Sequence, residues 1–526
     1  MENDLNDVSS KYNSVFMKIS LNYVFIAIIL LAVSQYFIVS MSSPIVFGDE
    51  GFYASTSSWI SENHIIPEFF PFGQNDVEKQ RAAIIPLFFM IETFFFYFGE
   101  IGVKIMFPLL ATITALAAYT IISKISNKKI GFLSAITLAM TPSFITYGVM
   151  GYTDVLLVLV SLMAINFTVN SFDSDKKINT IMAGIFSGLA ILTKQSGLFI
   201  VFFLIFYALT NKNKNKIKIL TTILLIILIV VSPLLIRNIS KYSDICYRRF
   251  AINPENCGSF FTEDPNNIEG LEFEGRNTGS GTEAGLLSFG ILNYFLFSNG
   301  LTITLLLLFG LGLLALKYSN KLLKLSIITI ASTLPILYFS LERAEDTARY
   351  LLPMNIGIIM IVGYFINEVY EKSKSYNKYL AYTIIAILLF SLWVYGQEKI
   401  DTMYLVKGFS PGFLNGCEWI RENTPEDSLL FSTYEYHTRY QCDRKAMVVE
   451  HKEEILLSFN DTSYQTMKKV GLDYIFVMKG LISDRKFSEN YPVEFINYIE
   501  NSNKFKKVYD NSDVYGQNGI IVYEVL

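Results

Sequence analysis

Histidine and cysteine are scarce in this 526-residue chain, with three of the first and four of the second. They are also scattered, so a zinc or redox centre built from the chain's own ligands has no cluster to start from. No CxxC, HExxH, GxGxxG or phosphate-loop pattern occurs, which leaves the common soluble-enzyme chemistries without a foothold. Charge is thin as well. Only 17% of residues are Asp, Glu, Lys or Arg, and 43 basic against 47 acidic residues give a formal net charge of -4. Nucleic acid, which selects for a basic excess, is excluded as a partner. With 52% hydrophobic residues and a mean hydropathy of +0.38, the chain cannot surround a soluble core with charge. It reads as a polytopic α-helical membrane protein.

Runs apolar enough to span a bilayer are expected at 21–39, 101–123, 130–146, 154–171, 179–193, 196–210, 217–236, 300–316, 324–341, 350–366 and 379–396, eleven in all. The first follows Lys11 and Lys18 and has no small-residue cleavage site after it, so it reads as an anchor. Two shorter segments, 82–98 and 286–298, are expected to lie in or re-enter the outer membrane surface. An extra pair of crossings hidden there would raise eleven to thirteen. Lysines gather at Lys124, Lys128 and Lys129, at Lys176 and Lys177, at Lys212 to Lys218, at Lys317, Lys321 and Lys324, and at Lys372, Lys374 and Lys378. If each run crosses once, all these loops fall on one side. Lysine-rich short loops stay in the cytoplasm, so the N-terminus is inside and the C-terminus outside.

Arginine sorts differently. There are 32 Lys and 11 Arg, and no arginine falls in an expected cytoplasmic loop. Arg81, Arg237, Arg248, Arg249, Arg276, Arg343 and Arg349 lie in expected outer loops or outer helix ends, and the other four lie in the tail. A guanidinium fork suits phosphate and carboxylate, whereas surface lysine sets topology. The seven near the membrane therefore point to an anionic ligand, and the tail arginines read as surface residues.

Composition changes at 397. The membrane part is expected to be 1–396, with outer loops at 41–100 and 237–299, followed by an extracytoplasmic α/β domain at 397–526. Strands are expected at 428–432, 446–450, 473–478 and 520–525, and helices at 412–422, 461–470 and 493–501. Cys417 and Cys442 sit in this domain, and Cys246 and Cys257 in the preceding outer loop. On the oxidising side of the membrane, two local disulfides are the first expectation, with other pairings and free thiols open.

The candidate chemistry is in the outer loops. Pro44-Ile45-Val46-Phe47-Gly48-Asp49-Glu50-Gly51-Phe52-Tyr53 places two adjacent acids just outside the first membrane helix. Such charges are costly at an interface unless solvated, paired or used. Helix capping by Asp49 with Glu50 in the first turn is the plain alternative. Asp154, in Tyr152-Thr153-Asp154, stands at the outer end of another membrane helix, where capping is again the alternative. Lys194, in Leu192-Thr193-Lys194-Gln195, breaks the cytoplasmic rule that the loop lysines obey. It either snorkels or contacts a ligand. His64 is a lone histidine in the first outer loop and reads as structural. Displacing a polyprenyl phosphate needs a base for the incoming hydroxyl and cations for the departing phosphate, and no acid for a leaving group that is already good. One carboxylate among Arg and Lys is that set.

These residues resemble the GT-C glycosyltransferases, in particular the branch holding protein O-mannosyltransferases and the lipid A aminoarabinose transferase. The resemblance rests on Asp49-Glu50, Tyr152-Thr153-Asp154, Gly184 through Leu189 to Lys194, and Arg349-Tyr350-Leu351-Leu352-Pro353, in that order. It implies a GT-C fold and an inverting transferase. A single sugar would pass from a dolichyl or undecaprenyl monophosphate to an acceptor hydroxyl on a glycan, lipid or protein at the outer face of the plasma membrane. By the same resemblance Asp49 would be the base, with Glu50 and Asp154 supporting or positioning the acceptor. Lys194 and Arg349 would hold the lipid phosphate, with Arg81 and Arg237 in support. Lys79, Arg343, Tyr53, Tyr152 and Tyr350 are further substrate-binding candidates.

The tail is similar to the outer domain of oligosaccharyltransferases around Trp419-Ile420-Arg421-Glu422-Asn423-Thr424-Pro425-Glu426-Asp427. The expected WWDxG is replaced by Ser432-Thr433-Tyr434-Glu435-Tyr436-His437, so the sequon-reading element is missing. Where the aminoarabinose transferases carry Lys-Pro-Pro, this chain has Glu78-Lys79-Gln80-Arg81. No cofactor is required by this scheme, although a divalent ion could bridge Asp49, Glu50 and the phosphate. A flippase for lipid-linked sugars is the rival. It would want ionisable groups at mid-membrane depth and cationic sites on both sides, and the expected spans carry almost none. Glu92 is expected in a surface segment.

Overall fold

The computed structural model describes residues 2–42, 49–66, 86–174, 176–242, 300–316, 320–340, 349, 351–407, 411–432, 435–446, 461–482 and 491–526. Helices fill the first part of the chain. They are α1 (Glu2–Ser42), α2 (Asp49–Asn63), α3 (Pro86–Phe96), α4 (Gly99–Ile125), α5 (Lys128–Ala139), α6 (Pro142–Val149), α7 (Asp154–Ser174), α8 (Lys177–Thr193), α9 (Phe199–Thr210) and α10 (Lys216–Tyr242). Four more follow at Leu301–Leu316, Lys321–Ser340, Asn355–Tyr376 and Lys378–Lys407.

Each of the eleven expected runs falls on helix, but they do not make eleven full-length spans. Among the described residues, six helical stretches are long and apolar enough to cross a membrane, and seven if the bent pair α5–α6 is one span. The chain is a multi-pass membrane protein. The shorter apolar helices include 86–96, 177–193 and 196–210. Local breaks account for several of them. Pro142 opens α6 at its first position, and the helix axis turns by 63° there. At 194–198 an extended residue and a short 3-10 turn separate α8 from α9.

Small residues let these helices approach closely, as membrane packing requires. A Cβ on Gly184 would lie 2.6 Å from Ile226 Cβ, and one on Gly188 would lie 2.7 Å from Val230 Cβ, so both glycines seat α8 on α10. Buried hydroxyls fold back on their own helix: Thr137 donates to the Leu133 carbonyl at 2.8 Å and Ser326 to the Leu322 carbonyl at 2.8 Å. No polar group then faces lipid unsatisfied at those positions.

The chain divides into two compact units. One comprises 1–41, 104–233 and 282–403, and the other 42–103, 234–281 and 404–526. The helix Lys378–Lys407 carries the chain through residue 396 without a break, and residues 42–103 group with the tail instead of with the membrane helices. Glu92, in the segment expected at the membrane surface, is fully buried in α3.

The tail contains a five-stranded mixed sheet in the order β2-β1-β3-β5-β4, formed by β1 (Leu429–Phe431), β2 (Lys445–Ala446), β3 (Tyr474–Met478), β4 (Phe505–Asp510) and β5 (Ile520–Val525). The β1–β2 and β1–β3 pairs are parallel, and β5 is antiparallel to both β3 and β4. Both faces are covered. Ile475 and Val477 pack with Met467, Phe495 and Ile499 on one side, while Phe476 and Met478 pack with Phe413, Cys417 and Ile420 on the other. That is why β3 is a continuous apolar run, not an alternating one. Cys417 and Cys442 form a disulfide that ties the helix Pro411–Asn423 to the helix Glu435–Cys442. Cys246 and Cys257 lie outside the described residues. Arg444 is buried, and its guanidinium donates to the carbonyls of Arg421 and Thr424, each at 2.8 Å, so this tail arginine is a structural clasp and not a surface charge.

Candidate functional site

Three of the residues singled out in the sequence come together in the membrane unit. Asp154 is the first residue of α7 and is fully buried. Its Oδ1 accepts from Lys194 Nζ at 2.5 Å, and its Oδ2 accepts from Arg349 Nε at 3.0 Å. The side chains of Lys194 and Arg349 are 3% and 7% exposed. The Arg349 guanidinium lies over the Tyr152 ring, 4.3 Å from its centroid, and Tyr147 meets Tyr152 edge-on at 5.5 Å. Among the described residues the cluster sets one carboxylate between two cations.

Local backbone chemistry puts Lys194 there. It is extended, with φ -165° and ψ 150°, and the Gly197 amide donates to its carbonyl at 2.8 Å. A Cβ on Gly197 would lie 2.1 Å from the Ala190 carbonyl oxygen, so only glycine lets the chain fold back this tightly on α8. The lysine is therefore fixed at the apex of a helical hairpin, not free to snorkel. Capping does not explain Asp154 either, because both carboxylate oxygens are taken by cations. The preceding Thr153 is fully buried, and its Oγ1 has no hydrogen-bond partner among the described residues.

The first-loop acids belong to the other unit. Asp49 is the first residue of α2, and Glu50 follows it, fully buried. Tyr53 is fully buried among Phe52, Phe88 and Phe89, with ring centroids 5.4, 5.1 and 5.9 Å away, which makes it a packing residue of the α2–α3 pair. Glu92 lies on the facing helix. Its Oε2 accepts from Ser57 Oγ at 2.7 Å, and its Oε1 has no hydrogen-bond partner among the described residues. Burial pushes the Glu92 carboxyl well above the usual carboxylate range, opposed by the Ser57 hydrogen bond and reinforced by nearby Glu50. Helix Glu435–Cys442 lies against α2 and brings in His437, which is 5% exposed, and Tyr440. Burial pushes the Tyr440 phenol far up, helped by Glu100, Glu92 and Glu50. Phe96 meets the Tyr440 ring edge-on at 6.1 Å.

Glu92, His437 and Tyr440 were not legible as site residues. Glu92 sits in an apolar run that offers no motif, and the other two lie far away in sequence. Among the remaining candidates, Arg237 is half-buried near the end of α10, its Nη1 3.5 Å from Asn238 Oδ1. His64 is exposed and pairs with the Tyr97 hydroxyl at 3.1 Å. Lys79, Arg81, Arg343 and Tyr350 lie outside the described residues. Among the described residues no three His, Cys, Asp or Glu side chains converge to hold a metal ion.

Comparison with known proteins agrees with the GT-C resemblance. The family model described as dolichyl-phosphate-mannose-protein mannosyltransferase matches residues 81–236, which include Asp154 and Lys194. No curated protein matches the chain by sequence. Among solved structures, ArnT from Cupriavidus metallidurans bound to undecaprenyl phosphate matches at a TM-score of 0.63 and 12% identity, over 96% of this chain and 98% of that one. The Archaeoglobus fulgidus oligosaccharyltransferase in the apo form matches at 0.65 and 11%, over 90% of this chain and 72% of that one. The same archaeal enzyme, AglB, in complex with an inhibitory peptide and a dolichol-phosphate, matches at 0.59 and 12%, over 86% and 69%.

Proposed function

We propose that this chain, which has the fold of GT-C membrane glycosyltransferases, moves a single sugar from a polyprenyl monophosphate donor to an acceptor hydroxyl at the outer face of the plasma membrane. The observation that carries the reading is the buried Asp154–Lys194–Arg349 cluster. Ionisable groups inside a membrane bundle are expensive and mark substrate paths. Lys194 and Arg349, fixed by the carboxylate they share, are preorganised cationic donors in a buried region. Such a site stabilises charge growing on a departing phosphate without reorganising during the reaction.

In this scheme Asp49 takes the proton of the acceptor hydroxyl. The oxygen attacks the anomeric carbon from the face opposite the phosphate, the sugar–phosphate C–O bond breaks, and the configuration inverts. The electron pair of that bond leaves on the lipid phosphate, and the proton remains on the Asp49 carboxyl. Asp154 acts through Lys194 and Arg349, holding them in place. The scheme itself requires no divalent ion.

Two of the similar structures support the donor class by what they hold, an undecaprenyl phosphate and a dolichol-phosphate. The direct test is binding of a short-chain polyprenyl phosphate to purified protein in detergent. Lys194→Met should weaken it by about 10-fold or more, the range for losing a charge-assisted hydrogen bond. Wild-type affinity in a folded Lys194→Met protein would remove the cluster from the phosphate site.

A further inference from the structure

The first-loop acids are braced by the outer domain. Gly51 follows Glu50 directly, and a Cβ there would lie 2.7 Å from His437 Cδ2, 3.0 Å from His437 Cγ and 3.1 Å from the His437 amide nitrogen. The buried imidazole therefore occupies the space that a side chain at position 51 would need, on the turn of α2 that begins with Asp49. The helix carrying His437 is held on its own account. Its last residue, Cys442, is in the disulfide with Cys417, the Gln441 carbonyl accepts from Arg421 Nη1 at 2.5 Å, and Thr438 Oγ1 donates to Ser432 Oγ at 2.9 Å. Three residues beyond His437, about one helical turn, Tyr440 packs on Phe96 of α3.

We propose that His437 is a positioning residue for the glycosyl transfer, its imidazole seated on Gly51 so that the disulfide-tied outer-domain helix sets the placement of the first turn of α2 and its acids. The inference rests on the assignment of Asp49 as the base. It gives Gly51 a reason to be glycine other than backbone conformation, and it gives the outer domain a task in catalysis.

The test is a two-residue cycle on the full-length protein, with Gly51→Ala, His437→Ala and the pair. Gly51→Ala should lower kcat by about 10- to 100-fold, the scale for displacing a reacting group by about 1 Å, with the donor KM within about twofold of wild type. His437→Ala alone should also lower kcat, by removing the seat of the first turn of α2, and the pair should recover part of the Gly51→Ala loss, up to the level of His437→Ala alone. The Cβ then faces mainly the His437 amide nitrogen at 3.1 Å, a contact that a few tenths of an ångström relieve. Hydrogen exchange is the readout independent of transfer. Peptides covering 49–63 should exchange faster in Gly51→Ala and return towards wild type in the pair, while peptides covering 461–470 stay unchanged. Exchange and kcat unaffected by Gly51→Ala, or no recovery in the pair, would overturn the proposal. If Asp49→Asn keeps full turnover while the exchange cycle behaves as expected, the base assignment fails and the brace stands.

Discussion

Lys194 Nζ lies 2.5 Å from Asp154 Oδ1, and both residues are buried where α7 begins and α8 ends. The pair turns two separate sequence oddities, a lone acid and a lysine on the wrong side, into one charged group completed by Arg349. Removing the acid would take from both cations the carboxylate that they share. Asp154→Asn should therefore destabilise the membrane unit by about 3–5 kcal/mol, the cost of stranding a buried charge. Lys194→Met, which leaves the Asp154–Arg349 pair intact, should unfold at a higher temperature than Asp154→Asn. Thermal unfolding in detergent orders the two, and the reverse order would contradict the pairing.

Gly197 should tolerate no side chain. With the Ala190 carbonyl 2.1 Å from its Cβ position, Gly197→Ala must reopen the α8–α9 turn. A loss of about 1–3 kcal/mol is the scale for overpacking a tight contact. Lys194 would move with the turn, so lipid-phosphate binding should weaken alongside the melting temperature. A variant with unchanged melting and binding would show the turn to be looser than this geometry.

The buried Glu92 carboxyl gives a pH signature. Its folded-state affinity for protons is raised above the ordinary value of 4.5, so between that value and the folded one the native state holds a proton that the unfolded state has lost. Stability from this group is present at low pH and falls as pH rises above about 4.5. Glu92→Gln cannot ionise and should melt less steeply with rising pH between 5 and 8 than wild type. Equal slopes in both proteins would place the proton elsewhere.

The Cys417–Cys442 bridge spans a sequence separation of 25, which in the chain-entropy account contributes about 3 kcal/mol to the tail domain. Replacing both with serine should lower the thermal transition of that domain and speed its proteolysis. If His437 braces α2, exchange across 49–63 should rise in the same variant. Unchanged proteolysis would mean that the two helices are held without the bridge.

Much of this was legible because bilayers impose strict patterns. Eleven apolar runs announced the helices, and Asp154 and Lys194 stood out in the sequence as lone charges beside apolar runs before the structure paired them. Span completeness was not legible, since the 63° bend at Pro142 and the fold-back at Gly197 depend on local geometry that hydropathy averages away. Strand β4 was missed because Lys506 and Lys507 interrupt its apolar pattern, as lysines do on an edge strand. The grouping of α2 and α3 with the tail depends on His437 meeting Gly51, a contact between residues almost four hundred positions apart that no local pattern encodes.

The central claim is tested most directly by release of free polyprenyl phosphate from a panel of radiolabelled polyprenyl-phosphate sugars, using purified wild type and Asp49→Asn side by side. The account expects acceptor-dependent release from one donor by the wild type and loss of about 10²-fold or more in the variant, the range for a general base. Equal release by a folded Asp49→Asn protein, or no release from any donor that the wild type binds, would contradict it.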